Sequence, residues 1–174
     1  MSASSRAPPD SSDSPAAPDS TSQRSSGTRR RLLAVLVLAV VPWSVQTFVG
    51  GGATFVFPWG LLTVDPLHVT TLADFLLFTQ GLPDYILAWP LGVACYLVAV
   101  GSVAVGAATG REDARLTAVA LVLAGVTQLE LARGFSTQPG RVAWPLGALL
   151  LWGVAWYVYR WPVRPESGDG DGES

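Results

Sequence analysis

The sequence predicts an all-α integral membrane protein with four transmembrane helices, arranged as two hairpins of the same orientation. Three observations predict that class. Of 174 residues, 49% are apolar and only 14% are charged, whereas a soluble domain carries about 25% charged residues. Four apolar runs are each long enough to cross a bilayer. Arginine supplies all 11 basic side chains, and most arginines flank the same ends of these runs.

The composition also argues against several soluble classes. A single cysteine, Cys95, excludes an intramolecular disulfide and a cysteine metal cluster. The net charge of -2 and the dispersed arginines argue against nucleic-acid binding. The chain contains neither a phosphate-binding glycine loop nor a nucleophile elbow. We therefore expect no catalytic residue, no cofactor and no bound metal.

The chain divides into a transmembrane domain over residues 32–161 and two disordered tails. Residues 1–31 are rich in Ser, Pro, Ala and Asp, and residues 162–174 are polar and acidic. Segments of this composition bury too little apolar area to offset the entropy of ordering. The predicted spans cover residues 32–50, 85–108, 116–135 and 142–161.

The first span has an alternative interpretation. Because Arg29, Arg30 and Arg31 precede it, residues 32–50 also resemble the apolar part of a cleaved signal peptide. The run nevertheless continues through Pro42 without a small-residue cleavage site. An uncleaved helix is the favoured interpretation.

The arginines predict the orientation. If the N-terminus is cytoplasmic, eight arginines near the membrane lie inside, and only Arg133 and Arg141 lie outside. The positive-inside rule therefore places both termini in the cytoplasm of a multi-pass protein of the cell membrane.

The first outer connection, residues 51–84, is predicted to contain a short interfacial helix. Thr71 and Asp74 form an approximate capping box, and Gly81 and Pro83 close the segment. A helix over residues 72–80 is too short to span, so we expect it to lie in the outer membrane interface. Residues 54–64 are compatible with either an extended segment or a half-inserted turn, and the sequence does not specify the conformation of residues 51–70 as a whole.

The pentapeptide AWPLG occurs at residues 88–92 and again at 143–147, which suggests an internal repeat. Independent selection of the same interfacial residues is the alternative. A stripe formed by Ser102, Gly106 and Gly110 suggests either a helix contact or a homo-oligomer or membrane-protein interface.

Two groups of side chains are candidate sites. The first is a polar cluster in the outer part of the membrane, comprising Gln46, Gln128, Glu130 and Arg133. It forms either an outer vestibule or a polar contact between helices, and we favour the contact. The second is an outer-loop group, comprising Asp65, His68 and Asp74. It suggests a metal or proton site, but with no second histidine an exposed loop histidine is the favoured interpretation.

Three functions follow from these candidates. The favoured function is a structural or accessory membrane component without catalytic activity, with the lipid bilayer as its partner. A small transporter or channel subunit with a vestibule around Glu130 is the first alternative. A membrane enzyme with an outer-face site near His68 is the second.

Several segments also resemble small uncharacterised multi-pass membrane proteins of halophilic archaea. They include HVTTLADFLLFTQGLP followed by AWPLG, then REDARLT and QPGRVAWPLG, together with the arginine-only basic set and the acidic tails. The likeness covers about residues 29–164. It implies membrane residence and a salt-adapted host, and it carries no catalytic residue over to this chain.

Overall fold

The computed structural model describes residues 20–79, 81, 83–109 and 113–160, in which five helices accompany a five-stranded antiparallel sheet. The prediction of an all-α fold with four transmembrane helices is therefore wrong. The helices are α1 Ser20–Val37, α2 Leu72–Phe78, α3 Ala88–Thr109, α4 Ala114–Ser136 and α5 Leu146–Arg160. The strands are β1 Ser44–Phe48, β2 Ala53–Phe57, β3 Gly60–Val64, β4 Leu67–Thr71 and β5 Arg141–Trp144, in the sheet order β4-β3-β2-β1-β5.

The predicted first span, residues 32–50, is half helix and half strand. Helix α1 ends at Val37, and Pro42 follows, which lacks a backbone N–H and disfavours helix at the residue before it. In β1, buried Ser44 and Gln46 alternate with more exposed neighbours, which is the two-residue period of a strand. Hydropathy alone cannot separate a buried strand from a membrane helix in such a run.

The residues that follow form a meander of strands, so the extended alternative for residues 54–64 is confirmed and the half-inserted turn is wrong. Gly50, Gly51 and Gly52 have φ angles of 110°, 103° and 90°, so they supply the turn between β1 and β2 that other residues rarely adopt. Two-residue turns then join β2 to β3 and β3 to β4. Every residue pair in these ladders is antiparallel.

The predicted fourth span, residues 142–161, also divides into a strand and a helix. Strand β5 pairs with β1, so that Val45 lies opposite Trp144 and Phe48 opposite Arg141. Helix α5 has 15 residues, which is about 22 Å and shorter than a bilayer core of about 30 Å. The expected pair of equivalent hairpins is therefore replaced by one long hairpin, α3–α4, with a sheet at one end.

The two middle spans and the short outer helix were predicted correctly as helices. A turn of 3-10 helix, Asp84–Leu87, leads into α3. Helix α4 begins after Asp113, whose carboxylate accepts hydrogen bonds from the backbone N–H groups of Arg115 and Leu116 at 3.0 and 3.3 Å. Helix α2 begins at Leu72 as expected.

Thr71 caps α2 as predicted, and the carboxylate of Asp74 bonds back to the Thr71 hydroxyl. Thr71 Oγ1 accepts from the backbone N–H of Asp74 at 3.1 Å and donates to Asp74 Oδ2 at 2.7 Å. The two bonds fix the start of a seven-residue helix that lies against the sheet. The helix ends at Phe78, two residues before the predicted end.

Two groups of buried side chains hold the molecule together. The larger joins α1, α3, α4 and α5, with Trp43 and Tyr96 in an edge-to-face contact whose ring centroids are 5.4 Å apart. The smaller joins the sheet to the helices through Val56, Trp89 and Leu131. The sheet therefore packs on the end of the bundle where α3 begins and α4 ends.

Residues 1–31 and 162–174 were predicted to be disordered. Of these, residues 1–19 and 162–174 lie outside the described residues. Residues 20–31, which were assigned to that tail, form the first turns of α1. Arg31 is only 3% exposed. The helical domain therefore includes residues on the N-terminal side of the first apolar run.

Candidate functional site

The structure separates the predicted polar cluster into three places. Glu130 and Arg133 form an ion pair of 3.0 Å on the outer surface of α4, with side chains 57% and 67% exposed. Pairs of this spacing on an exposed helix surface contribute about 0.5 kcal/mol or less. Neither side chain lines the pocket described below.

Gln128 lies in the same helix but is completely buried. Among the described residues, neither polar atom of its side chain has a hydrogen-bond partner. Residues two apart on a helix do not face each other, which is why Gln128 points inward while Glu130 points outward. The Gln128 side chain instead lies against Gly92 of α3, where an added Cβ would be 3.1 Å from Nε2.

Gln46 belongs to the sheet and not to a membrane span. It is 4% exposed in the interior strand β1 and pairs with Thr54. Thr54 pairs with Thr63, their hydroxyl oxygens are 3.3 Å apart, and Thr63 pairs with His68. Directly opposed residues share a face of the sheet, so one polar row crosses four strands from the buried centre to the exposed edge. The row could not be predicted from the sequence, because hydropathy does not show the register between strands.

The outer-loop candidates do not form a cluster. His68 is exposed on edge strand β4, and Asp65 is exposed in the turn between β3 and β4. Asp74 is committed to the cap of α2. No group of three or more metal-binding side chains occurs in the part of the chain that the structure describes.

Ser102 and Gly106 face a neighbouring helix of the same chain. Thr117 Oγ1 of α4 donates a hydrogen bond to Ser102 Oγ of α3 at 2.9 Å, and Gly106 is buried. Gly110 lies outside the described residues. These contacts join the α3–α4 hairpin, and an oligomer through the same stripe stays a prediction.

A pocket that sequence analysis did not predict lies at the end of the bundle opposite the sheet. It has a volume of about 460 Å³ and is lined by Ala114, Arg115, Trp156, Tyr159 and Arg160. The Arg160 guanidinium lies over the Trp156 ring, 5.3 Å from its centroid. The two arginines meet because α4 begins where α5 ends, and only the arrangement of these helices brings them together.

In the part of the chain that the structure describes, two helices are long and apolar enough to cross a membrane, Asp84–Thr109 and Ala114–Ser136. No curated protein matches the chain. A family model matches residues 12–167, which is most of the sequence. The chain therefore belongs to the DUF8050 family, a domain of unknown function.

Proposed function

We propose that the protein is an accessory membrane component in which the α3–α4 hairpin anchors the five-stranded sheet at the outer surface of the cell membrane. The supporting observation is the low burial of the apolar helices. Only 28% of the most apolar stretch of Asp84–Thr109 is buried, and 50% of that of Ala114–Ser136. A core helix of a soluble domain is mostly buried, because water disfavours a large apolar surface.

The side chains left exposed on the hairpin are large and aliphatic. Examples on α3 are Leu97 and Val105, which are 60% and 59% exposed. On α4, Val119 and Leu123 are 56% and 50% exposed. Hydrocarbon is the solvent that accepts such a surface without cost, while backbone hydrogen bonds inside each helix satisfy the peptide groups.

Helix α2 supports the position of the sheet at the membrane surface. Its Phe75 points inward and contacts Trp89, with ring centroids 5.6 Å apart. Its Leu77 and Phe78 point outward and are 77% and 80% exposed. A short helix with such a face suits the boundary between headgroups and acyl chains.

The charges support the orientation. Arg115 and Arg160 lie at the end away from the sheet, whereas Arg133 and Arg141 lie at the sheet end. The C-terminal end of α1 leads into the sheet. Arg29 and Arg30 precede the apolar part of α1, so they lie on the side away from the sheet. Fewer arginines therefore lie at the sheet end than at the opposite end. The positive-inside rule then favours a cytoplasmic α3–α4 connection.

An accessory role is favoured over transport or catalysis by the placement of the candidate residues. Glu130 is held in an exposed ion pair with Arg133 rather than aimed into a cavity. His68 stands on an edge strand, away from Asp74 and its cap. The resemblance to membrane proteins of halophilic archaea agrees with this proposal.

The orientation is tested by cysteine labelling in the full chain, with Cys95→Ser as the background. Val49, 85% exposed beside the first hairpin turn of the sheet, and Ala108, exposed in the last turn of α3, are each replaced by cysteine. We expect a membrane-impermeant maleimide to label Val49→Cys in intact cells. Ala108→Cys should react only after the cells are permeabilised.

The Cys95→Ser chain without an added cysteine is the control for background labelling. Recovery of the chain in the soluble fraction, or equal labelling of both sites in intact cells, contradicts the membrane proposal.

The accessory role further requires a membrane partner. Mild-detergent extraction of native membranes should recover one in stoichiometric amount, and recovery of the chain alone contradicts that role.

A further inference from the structure

The pocket at the arginine end has the composition of an anion-binding site. Its lining includes two arginines, Arg115 from the first turn of α4 and Arg160 from the last turn of α5. The planar, permanently charged guanidinium matches the oxygen atoms of a phosphate through paired hydrogen bonds. The volume of the pocket, about 460 Å³, lies within the range of small-ligand pockets, about 300 to 1,000 Å³.

The positive charge of this pocket comes from side chains rather than from the helix N-terminus. Asp113 already accepts hydrogen bonds from the backbone N–H groups of Arg115 and Leu116. The two lining arginines, and not these backbone groups, therefore supply the positive charge that attracts an anionic ligand.

Aromatic side chains complete the lining and fix one of the cations. Arg160 stacks over Trp156, and Tyr159 lies beside it in the same wall. Trp156 and Tyr159 are 61% and 58% exposed. Exposed tryptophan and tyrosine rings at the end of an apolar helix are typical of the headgroup region of a bilayer.

An apolar stripe runs along α4 directly from the pocket. Val119, Val122, Leu123 and Val126 follow Arg115 at spacings of 4, 7, 8 and 11 residues, which places them on one face of the helix. All four are between 42% and 56% exposed. A ligand whose phosphate contacts Arg115 can therefore lay a hydrocarbon chain along this stripe, which a free phosphate cannot do.

We infer that the Arg115–Arg160 pocket binds the phosphate group of an anionic membrane lipid, whose acyl chain lies along the exposed face of α4. This inference rests on the proposed membrane function, because it places the pocket at headgroup depth. It adds a specific lipid contact to an anchor that otherwise needs only an apolar surface.

The test uses the full chain in mild detergent, with dioleoyl phosphatidylglycerol, dioleoyl phosphatidylcholine and inorganic phosphate as probes and native mass spectrometry as the measurement. We expect phosphatidylglycerol to be retained in preference to phosphatidylcholine. The double substitution Arg115→Gln with Arg160→Gln should weaken phosphatidylglycerol binding about 25-fold, or about fivefold for each arginine.

Arg141→Gln is the matched control, because Arg141 is also exposed and also stacks on an aromatic ring, with its guanidinium 5.0 Å from the Phe48 centroid, but at the sheet end. It should leave phosphatidylglycerol binding unchanged. Equal retention by the original chain and the double variant overturns the site. Inorganic phosphate that binds as tightly as the lipid overturns the lipid as its source.

Vesicle flotation separates failure of this inference from failure of the proposed function. A chain that floats with phosphatidylcholine vesicles and gains nothing from phosphatidylglycerol contradicts only the pocket. A chain that stays in the soluble fraction with both kinds of vesicle contradicts the membrane function itself.

Discussion

The two copies of AWPLG have the same five residues and lie in different surroundings. In the first copy, Trp89 is 2% exposed, and its indole N–H donates to the carbonyl oxygen of Phe57 at 3.1 Å. In the second, Trp144 is 58% exposed at the end of edge strand β5. Ala88 begins a helix, whereas Ala143 lies in a strand.

The proline and the glycine have the same structural role in both copies. Pro90 lies in the first turn of α3 and Pro145 directly precedes α5, where a missing N–H leaves no helical hydrogen bond unmade. Gly92 and Gly147 both permit a close approach of another element. The pentapeptide therefore specifies how a helix starts, and the tertiary structure decides where its tryptophan points.

The largest difference between the copies should appear when the tryptophans are removed. Trp89→Ala should lower the free energy of unfolding by about 3–5 kcal/mol, because it leaves a cavity and removes the hydrogen bond to the carbonyl oxygen of Phe57. Trp144→Ala should cost less than about 1 kcal/mol, because the side chain is mostly exposed. Thermal unfolding of both variants in mild detergent measures the difference, and equal losses would show that the copies are equivalent.

A smaller difference is expected at the two glycines. A Cβ at position 147 would be 2.5 Å from Trp43 Cα, which is backbone, so Gly147→Ala should cost about 3 kcal/mol. A Cβ at position 92 would overlap the Thr127 hydroxyl, which can rotate away, so Gly92→Ala should cost about 1–2 kcal/mol. The same unfolding measurement ranks them. Gly153→Ala, where nothing lies within 4 Å, is the control.

The smallest effect is expected at Gln128, the residue that packs against the first copy. Gln128→Leu removes two buried, unpartnered polar atoms and should change stability by less than about 1 kcal/mol, in the stabilising direction. Gln128→Glu would bury a charge and should destabilise the chain, whereas Glu130→Gln on the exposed face should have little effect. A strong loss of stability in Gln128→Leu would reveal a hydrogen-bonded role for this amide.

Helices bounded by local features were the part of the fold that the sequence could predict. The cap formed by Thr71 and Asp74 is a short-range pattern, and α2 begins where those residues indicate. The apolar run predicted as the span 116–135 lies within α4, which begins two residues earlier. The sheet was missed because β1, its first strand in the sequence, lies in an apolar run that is continuous with α1. Pro42 and the glycines at 50–52 are signals against a continuous helix, but the length of the apolar run favoured a membrane span.

The sites depend more strongly on tertiary structure. Gln128 and Glu130 are close in the sequence, yet one is buried and the other exposed. Arg115 and Arg160 are distant in the sequence, yet they line one pocket. Hydropathy reports the depth of a residue along a span and does not report the helix face on which it lies.

The pairing of β1 with β5 has a consequence for biogenesis. Strand β1 is complete early in synthesis, but its second edge stays unsatisfied until residues 141–144 reach it, after the whole α3–α4 hairpin has been made. An open edge can pair with other chains, and a contact so distant in sequence forms slowly. Translation of the last strand is therefore the step that closes the domain and protects the nascent chain from aggregation.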